Sequence, residues 1–349
     1  MKISVLLPYK ENFSPDYAGA VSIFLKDTIK ISKYRKYITV YGHTNFKKKL
    51  LPNYQNINFT KFFLRSSSKI YINKFLENEK NKKSKIIEIH NRPAYVKLLY
   101  KINKNLVLYF HNNPLEMKSS KSVNERIEIL KKTKKIIFNS RWTLNKFKSD
   151  LDKKYYTKKL KVINPTTTKK KVNFKNKKKI IIFVGRLNKS KGYDIFGNAI
   201  IKILNKFPEW NAIVIGDEPR ENHIFEHKRL KLLGFKKHNI VSEWFKKSDI
   251  AVMCSRWEEP FGRTALEASS AGCAVIISNR GGLLEASPKA ITIKNLNVTN
   301  LELVIEKLVK NPNYKKSLQK KIYNHFFLTN HYSTKKIDSY RQELLSKLL

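Results

Sequence analysis

The stretch RWEEPFGRTALEASSAGCAVIISNRGGLLE, residues 256–285, decides how this chain is interpreted. Two carboxylates, Glu259 and Glu267, stand eight positions apart, and the Pro-Phe-Gly turn between them predicts the start of a helix. Such a turn offers free backbone N–H groups and the positive end of a helix dipole to a phosphate. Gly262 has no side chain, so a phosphate can approach the backbone there, and a carboxylate can accept hydrogen bonds from sugar or ribose hydroxyls. The stretch predicts a pocket for a sugar that carries a nucleotide diphosphate.

Length and composition favour a globular protein of two domains. The 349 residues are enough for two cores of ordinary size. The 41% hydrophobic and 12% aromatic content excludes a disordered chain. Only two cysteines occur, Cys254 and Cys273, and both lie inside apolar runs. They are predicted to be small core residues and not a disulfide or a metal site.

The N-terminal segment MKISVLLPYK is similar to a secretory leader for a few residues only. Its apolar run ends at Pro8 and charge follows, so a first β-strand is predicted instead. No apolar stretch approaches the roughly 20 residues that are needed to cross a bilayer. We therefore expect a cytoplasmic protein, either dissolved or peripheral on the inner face of the membrane.

The formal net charge of +45 allows three interpretations. The lysines are spread through every segment together with many Asn and Ile residues, which favours a bias in codon usage. An anionic membrane surface is the second interpretation, because each Lys or Arg near anionic lipid contributes about 1 kcal/mol. Nucleic acid is the third, but no nucleic-acid-binding motif accompanies the charge. We expect no nucleic-acid partner.

The chain alternates short apolar runs with amphipathic stretches, which is the pattern of βαβ units around a parallel sheet. Strands are predicted at 3–8, 38–42, 57–63, 86–90, 106–111, 135–139, 161–164, 180–185, 212–216, 229–235, 250–255, 274–278 and 290–293. Helices are predicted at 20–33, 123–132, 193–207, 239–247 and 263–271. The charged run KKKVNFKNKKK at 169–179 is predicted to be a linker between the two series.

The predicted fold class is therefore α/β, with two Rossmann-like domains that face a central cleft. Residues 1–168 form the first domain and residues 180–324 the second. Ligands of such sheets lie beyond the carboxyl ends of the strands. Gly185 and Arg186 end the first strand of the second domain, and Lys191 precedes the next helix. Cations placed there can stabilise the charge of a departing nucleotide diphosphate, Arg186 with two parallel hydrogen bonds and Lys191 as a point charge.

Two motifs carry a resemblance to a known family. The pair Glu259 and Glu267 matches an E-x7-E signature, and GRLNKSKG at 185–192 matches a GRL-x3-KG element. Both are typical of the retaining glycosyltransferases of family 4 (glycosyl transferases group 1), which have the GT-B fold. The resemblance implies that Arg186 and Lys191 hold the donor diphosphate. It also implies that Glu259 contacts the hydroxyls of the donor sugar and Glu267 those of the ribose.

The resemblance extends to other positions. Gly281, Gly282 and Leu283 precede Glu285 where the family has a GG-x-x-E loop near the sugar and phosphates, although Leu284 stands where Pro is common. Gly234 matches a family glycine near the nucleotide base. A C-terminal helix at 325–349 is expected to cross back to the first domain, as in similar enzymes.

The first half offers weaker signals, of which Gly19 belongs to donor binding and His111 to catalysis. Gly19 stands before a predicted helix, where it can be a phosphate-approach glycine or a plain turn residue. His111 ends a predicted strand, and in the family a histidine at this place faces the donor sugar and the reacting centre. His90 and Arg92 follow the neighbouring strand, and Asn112 follows His111. These three are predicted to line the acceptor side.

The predicted function is transfer of a hexosyl-type sugar from a nucleotide-diphosphate sugar to a saccharide or lipid-linked saccharide, with retention of configuration, in surface polysaccharide or lipopolysaccharide synthesis. No cofactor and no metal are expected, because Lys and Arg supply the positive charge. The tripeptide Asp150-Leu151-Asp152 spells a metal-binding DxD, but it lies in a charged segment without a preceding strand. The alternatives are a GT-B nucleotide-sugar epimerase or a sugar phosphorylase, and a non-enzymatic basic binding protein.

Overall fold

The computed structural model describes residues 1–59, 66–221 and 223–347. The chain forms two compact units. The first unit contains Met1–Thr166 together with Asn330–Leu349, and the second contains Thr167–Thr329.

The first unit is built on a parallel sheet of seven strands in the order β3-β2-β1-β4-β5-β6-β7. Its inner strands are nearly continuous apolar runs, as expected for strands that are buried on both faces. The strands are β1 (Ile3–Leu6), β2 (Ile38–Gly42), β3 (Tyr54–Asn56), β4 (Ile86–His90), β5 (Leu106–Phe110), β6 (Lys135–Phe138) and β7 (Leu160–Val162).

Helices cover both faces of this sheet. They are α1 (Ala20–Ile29), α2 (Ser67–Lys82), α3 (Val96–Leu99), α4 (Val123–Lys132), α5 (Arg141–Lys148) and the last helix of the chain, α12 (Asn330–Ser346). Because side chains alternate along a strand, Val5 packs on one face in a cluster with residues of α1 and α12. Its neighbour Leu6 packs on the other face in a cluster with residues of α2, α4 and α5.

Helix α12 is anchored to the sheet of the first unit by a buried ion pair. The Arg341 guanidinium donates to both carboxylate oxygens of Glu88 on β4, at 2.8 Å each. Asp338 accepts from the Ser32 hydroxyl at 2.6 Å. Burial tends to lower the pKa of Arg341, but the Glu88 carboxylate raises it well above its ordinary value. Arg341 is therefore charged, and the helix is fixed to the sheet by charge as well as by packing.

The second unit contains a parallel sheet of six strands in the order β10-β9-β8-β11-β12-β13. Its strands are β8 (Lys178–Val184), β9 (Asn211–Ile215), β10 (Leu230–Leu232), β11 (Ser248–Met253), β12 (Ala274–Ser278) and β13 (Ile291–Ile293). Its helices are α6 (Tyr193–Lys206), α7 (His238–Lys247), α8 (Arg263–Ser270), α9 (Leu283–Ala286), α10 (Val298–Lys310) and α11 (Pro312–Asn324). Cys254 and Cys273 are buried and unpaired, as predicted.

Several predicted boundaries differ from the structure. Strand β8 begins at Lys178, inside the segment predicted as a linker, and the strand predicted at 229–235 is limited to Leu230–Leu232. The strand predicted at 57–63 has its residues 60–63 outside the described part, and β3 lies just before it at Tyr54–Asn56. The final helix begins at Asn330, not at 325. No helix in the described ranges is long and apolar enough to cross a membrane.

Candidate active site at the carboxyl ends of the second sheet

The turn after β8 places Lys191. Residues Lys189–Lys191 form a 3-10 turn, and the Asn188 side chain caps it by accepting the Lys191 N–H at 3.1 Å. The carbonyl of Ser190 accepts the backbone N–H groups of Arg256 and Trp257 at 2.9 and 3.0 Å. The turn is therefore tied to the segment that follows β11, the neighbouring strand in the sheet.

Lys191 and Glu259 form an ion pair at this point. The Lys191 ammonium donates to Oε1 of Glu259, and both side chains are largely buried. The ammonium also lies 4.7 Å from the centre of the Trp257 ring, within the range of a cation–π contact. An ammonium has three donors and a carboxylate has two acceptor oxygens. Each partner therefore keeps hydrogen-bonding capacity for a ligand.

The diglycine loop after β12 closes against Glu259. The N–H of Gly282 donates to the Glu259 carbonyl at 2.6 Å, and the N–H of Gly281 donates to the Glu258 carboxylate at 2.6 Å. Gly281 has a φ of +57°, and a Cβ there would lie 2.1 Å from the Glu259 carbonyl oxygen. This position therefore requires glycine, and the loop fixes the backbone that carries Glu259.

Glu267 is held on helix α8, which begins directly after Gly262 (φ +98°). Its Oε1 is 2.7 Å from the Nε of Arg263 and 2.9 Å from Nε2 of His238 at the start of α7. Burial tends to raise the pKa of Glu267, but the charge of Arg263 and the His238 contact lower it below the ordinary value. Glu267 is therefore an oriented, ionised acceptor. The i,i+4 spacing of Arg263 and Glu267 is visible in the sequence, whereas the contact of His238 with Glu267 is not.

The remaining predicted residues of this unit lie around the same strand ends. Gly185 follows β8 and donates its N–H to the Ile215 carbonyl on β9 at 3.0 Å. Gly234 accepts from the Gly216 N–H at 3.0 Å, so it lies one strand further along the sheet. The Arg186 side chain is exposed. Leu283 is buried, and a Cβ on Gly262 would lie 2.5 Å from its side chain. These residues thus lie along the carboxyl-terminal edge of the sheet, each after the strand that precedes it in the chain.

The loop after β9 contains a residue that sequence reasoning missed. Glu218 accepts two hydrogen bonds from Arg220, at 2.6 and 2.8 Å, and one from the Asn188 amide at 3.2 Å. The hydrogen bonds from Arg220 lower the pKa of Glu218 to about 2. Because Asn188 also caps the turn that carries Lys191, Glu218 stabilises that turn through its contact with Asn188. No motif in the sequence points to this carboxylate.

In the first unit, Gly19 is the N-cap residue of α1, and a carboxylate already lies at this helix start. Oε1 of Glu11 accepts the N–H of Ser22 at 3.0 Å. A Cβ on Gly19 would lie 2.3 Å from that oxygen. Burial raises the pKa of Glu11. In this structure the glycine thus makes room for an internal carboxylate at the position where the sequence predicted approach of a phosphate.

His90 and His111 lie side by side at the carboxyl ends of β4 and β5. Nδ1 of His90 is 2.9 Å from Nε2 of His111. Burial lowers the pKa of His111 to about 4. The pKa of His90 lies well below the ordinary value because of burial, with His111 and Arg341 adding to the effect. Both imidazoles are therefore neutral near pH 7.

Arg92 and Asn112, predicted for the acceptor side together with His90, lie on the adjoining loops. The backbone N–H of His111 donates to the side-chain oxygen of Asn91 at 3.1 Å. The Arg92 guanidinium donates to the backbone carbonyl of Asn91 at 2.9 Å. Asn112 is exposed next to His111. A cavity of about 790 Å³ opens beside the residues that follow Arg92. It is lined by apolar side chains and by the charged residues Lys69, Lys97, Lys118, Lys132, Glu125 and Glu128.

The DxD tripeptide has a structural role. Asp152 caps the 3-10 turn Lys153–Tyr155 by accepting the N–H of Lys154 at 3.0 Å. Within the described ranges, no group of three or more His, Cys, Asp or Glu side chains could hold a metal ion.

Comparisons with known sequences match the part of the chain that contains this site. The family model of the glycosyl transferases group 1 matches residues 165–325. Spore coat protein SA of Bacillus subtilis is 36% identical over 121 residues, which cover 30% of this chain and 31% of the relative. The lipopolysaccharide core biosynthesis mannosyltransferase LpsB of Rhizobium meliloti is 30% identical over 132 residues, 34% of this chain and 37% of the relative. The alignments thus span about a third of the length of these relatives.

Solved structures extend the likeness to the whole fold. HepE of Anabaena, solved with UDP and glucose, has a TM-score of 0.78 at 17% identity and covers 98% of this chain and 100% of its own. WaaG, a glycosyltransferase involved in lipopolysaccharide biosynthesis, has a TM-score of 0.68 at 14% identity, with 97% and 99% covered. The chain has the GT-B fold of these proteins, and its residues 165–325 match the family model of the glycosyl transferases group 1.

Proposed function

We propose that this protein is a retaining glycosyltransferase of the family 4 type. It transfers a hexosyl-type sugar from a nucleotide-diphosphate sugar to a saccharide or lipid-linked saccharide. The neighbours that contain UDP and the relatives named for lipopolysaccharide synthesis support a nucleotide-sugar donor and a role in surface glycan synthesis.

One observation carries the proposal: a cation, two carboxylates and a glycine loop share the carboxyl ends of adjacent strands. Lys191 and Glu259 are in direct contact, so a phosphate at the ammonium lies next to a sugar at the carboxylate. Glu267, eight positions after Glu259 and held by Arg263, supplies the acceptor for ribose hydroxyls. The three groups correspond to the three parts of a nucleotide sugar, which are the diphosphate, the sugar and the nucleoside.

The arrangement favours a front-face reaction with retention. Both carboxylates are engaged, Glu259 with Lys191 and Glu267 with Arg263 and His238, which supports binding roles for them in preference to nucleophilic attack. The sugar–phosphate bond breaks, and the acceptor oxygen attacks the same face of the sugar. The acceptor proton passes to the departing phosphate oxygen. Arg186 and Lys191 stabilise the growing negative charge of that oxygen.

The acceptor binds the first unit in this proposal. The cavity beside Arg92 combines apolar lining with four lysines and two glutamates, a chemistry that suits a lipid-linked saccharide with an anionic group. An enzyme that uses such an acceptor works at a membrane surface. We therefore propose a cytoplasmic location with peripheral attachment to anionic lipid, which sedimentation with anionic vesicles at low salt would test. Nucleic acid is not a proposed partner.

Metal independence is part of the proposal, because Lys and Arg take the place of a divalent cation at the diphosphate. Activity should therefore survive EDTA. Loss of activity in EDTA that only added Mg²⁺ or Mn²⁺ restores would contradict metal independence.

The experiment that tests the proposal is a thermal-shift panel of nucleotide diphosphates and nucleotide sugars without metal. A ligand that binds only the folded state stabilises it by about 2.7 kcal/mol at a hundred times its Kd. We expect one nucleotide to raise the Tm of the wild type and Glu267→Gln to lose that shift. Glu243→Gln, an exposed carboxylate on α7, is the matched control and should keep it.

Two results would count against the proposal. If no nucleotide stabilises the wild type, the donor site is wrong. If a stabilising nucleotide sugar is interconverted without any acceptor, the protein is an epimerase with the same fold.

A further inference from the structure

The pair of histidines in the first unit has only two possible arrangements of protons. A neutral imidazole has one N–H donor and one bare acceptor nitrogen. Either Nδ1–H of His90 donates to Nε2 of His111, or Nε2–H of His111 donates to Nδ1 of His90. The choice decides which nitrogen of His111 carries its proton.

The surroundings of His90 distinguish the two arrangements. Its other nitrogen, Nε2, is buried and has no hydrogen-bond partner among the described residues. In the second arrangement this atom carries a proton, which leaves a buried donor without an acceptor. In the first arrangement it is a bare acceptor. Among buried backbone groups, N–H donors without a partner are rarer than under-satisfied acceptors. Applied to the His90 ring, the same preference favours the first arrangement.

The position of His90 is fixed by the core and not by His111 alone. Its ring stacks on the Tyr109 ring, with centroids 4.2 Å apart. The Tyr109 hydroxyl is 2.6 Å from that of Tyr340, which donates to Glu88. Glu88 is held by Arg341 through two hydrogen bonds. The donor that reaches His111 is thus part of the buried network that anchors α12.

We propose that His90 is a positioning residue that fixes His111 in the tautomer with its proton on Nδ1. His111 then offers an N–H donor from Nδ1, and not a bare lone pair, to a group at the carboxyl end of β5. In the glycosyltransferase reaction, such a neutral donor suits a hydroxyl or ring oxygen of the sugar. That last role rests on the proposed function. The tautomer itself does not.

The test is a measurement of the tautomer of His111 by ¹⁵N NMR at pH 7, on full-length protein labelled in its histidines. Correlations between the ring carbon-bound protons and the two nitrogens show which nitrogen is protonated. The His111 signals are assigned by their loss in His111→Asn. We expect a protonated Nδ1 and a bare Nε2 in the wild type. A protonated Nε2 on His111 would overturn the proposal, whatever the protein catalyses.

Two variants of His90 add a functional readout. His90→Phe keeps a flat ring on Tyr109 but has no donor, and should release the tautomer of His111 and lower kcat by on the order of tenfold. His90→Asn has an amide that can donate near the position of Nδ1, and should restore the wild-type tautomer and most of kcat. Neither variant should change the Kd for the free nucleoside diphosphate, which carries no sugar and does not meet His111 in this proposal. Equal kcat in the Phe and Asn variants would contradict the positioning role.

The tautomer measurement does not depend on the proposed function. If no nucleotide sugar binds, the wild-type spectrum still reports the tautomer. The two claims therefore fail separately.

Discussion

Replacement of Lys191 by Met tests the electrostatic basis of the proposed site. Met keeps the length and the apolar stem of the side chain but removes the charge. The change has two effects, because Lys191 is placed both to bind the diphosphate and to neutralise Glu259. Loss of one preorganised contact to developing charge lowers kcat by about 10²–10³-fold, or roughly 3–4 kcal/mol.

The second effect falls on stability. With 12% of its side chain exposed, Glu259 is shielded from most of the water that could replace its partner. A buried polar group left unpaired costs about 1–3 kcal/mol. We therefore expect Lys191→Met to lower the free energy of unfolding by roughly that amount and to remain folded.

The assay is donor-dependent transfer without metal, read as kcat and KM, next to denaturant unfolding. Lys189→Met is the matched control, since Lys189 belongs to the same 3-10 turn and its side chain is exposed. We expect the control to stay within about threefold of the wild type. Wild-type kcat in Lys191→Met would refute the reasoning. An equal loss in both variants would show that only the general positive field matters.

Three further outcomes are expected. Gly281→Ala should lower the free energy of unfolding by about 2–3 kcal/mol, because the added Cβ clashes with backbone and the φ is strained. Gly234→Ala is the matched control, since Gly234 has a φ of +67° but open space around it, and it should lower the free energy of unfolding by about 1 kcal/mol. The pKa of His111 is about 4, below its ordinary value of 6.5. The neutral imidazole therefore contributes about 3 kcal/mol to the free energy of unfolding above pH 6.5, and this contribution is lost as the pH falls to 4. Denaturant unfolding of His111→Asn should depend less on pH in this window. Arg341→Met leaves Glu88 buried without its partner and should cost about 3–5 kcal/mol in denaturant unfolding, and an effect below 1 kcal/mol would show that the pair is dispensable.

The strands of both sheets could be predicted because parallel strands buried on both faces are continuous apolar runs. This holds for β8, β11 and β12, and the helix that starts after Gly262 was predicted from its turn. Prediction was poorer at the sheet edge, where β10 has the sequence Leu-Lys-Leu and is only partly buried. Short edge strands lack the long apolar run on which the assignment depends.

The site was predictable where it follows one local motif and not where it depends on distant segments. Glu259, Glu267 and Gly281 lie within 23 positions of one another, and Arg263 lies one helical turn before Glu267. The contacts of Glu218 with Asn188 and of His238 with Glu267 join segments about thirty positions apart. The His90–His111 contact likewise depends on the pairing of β4 with β5. Neither periodicity nor spacing encodes such proximity.

The anchoring of α12 determines the order in which the protein can be completed during synthesis. The second unit is one continuous segment, Thr167–Thr329, and can fold as soon as that segment has left the ribosome. The first unit cannot, because Glu88 meets its partner Arg341 only after 253 further residues have been made. Until then, its sheet contains a carboxylate without a counter-charge. The half of the protein that is translated first is therefore finished last, and in the interval the nascent first unit is the part most open to chaperones and proteases.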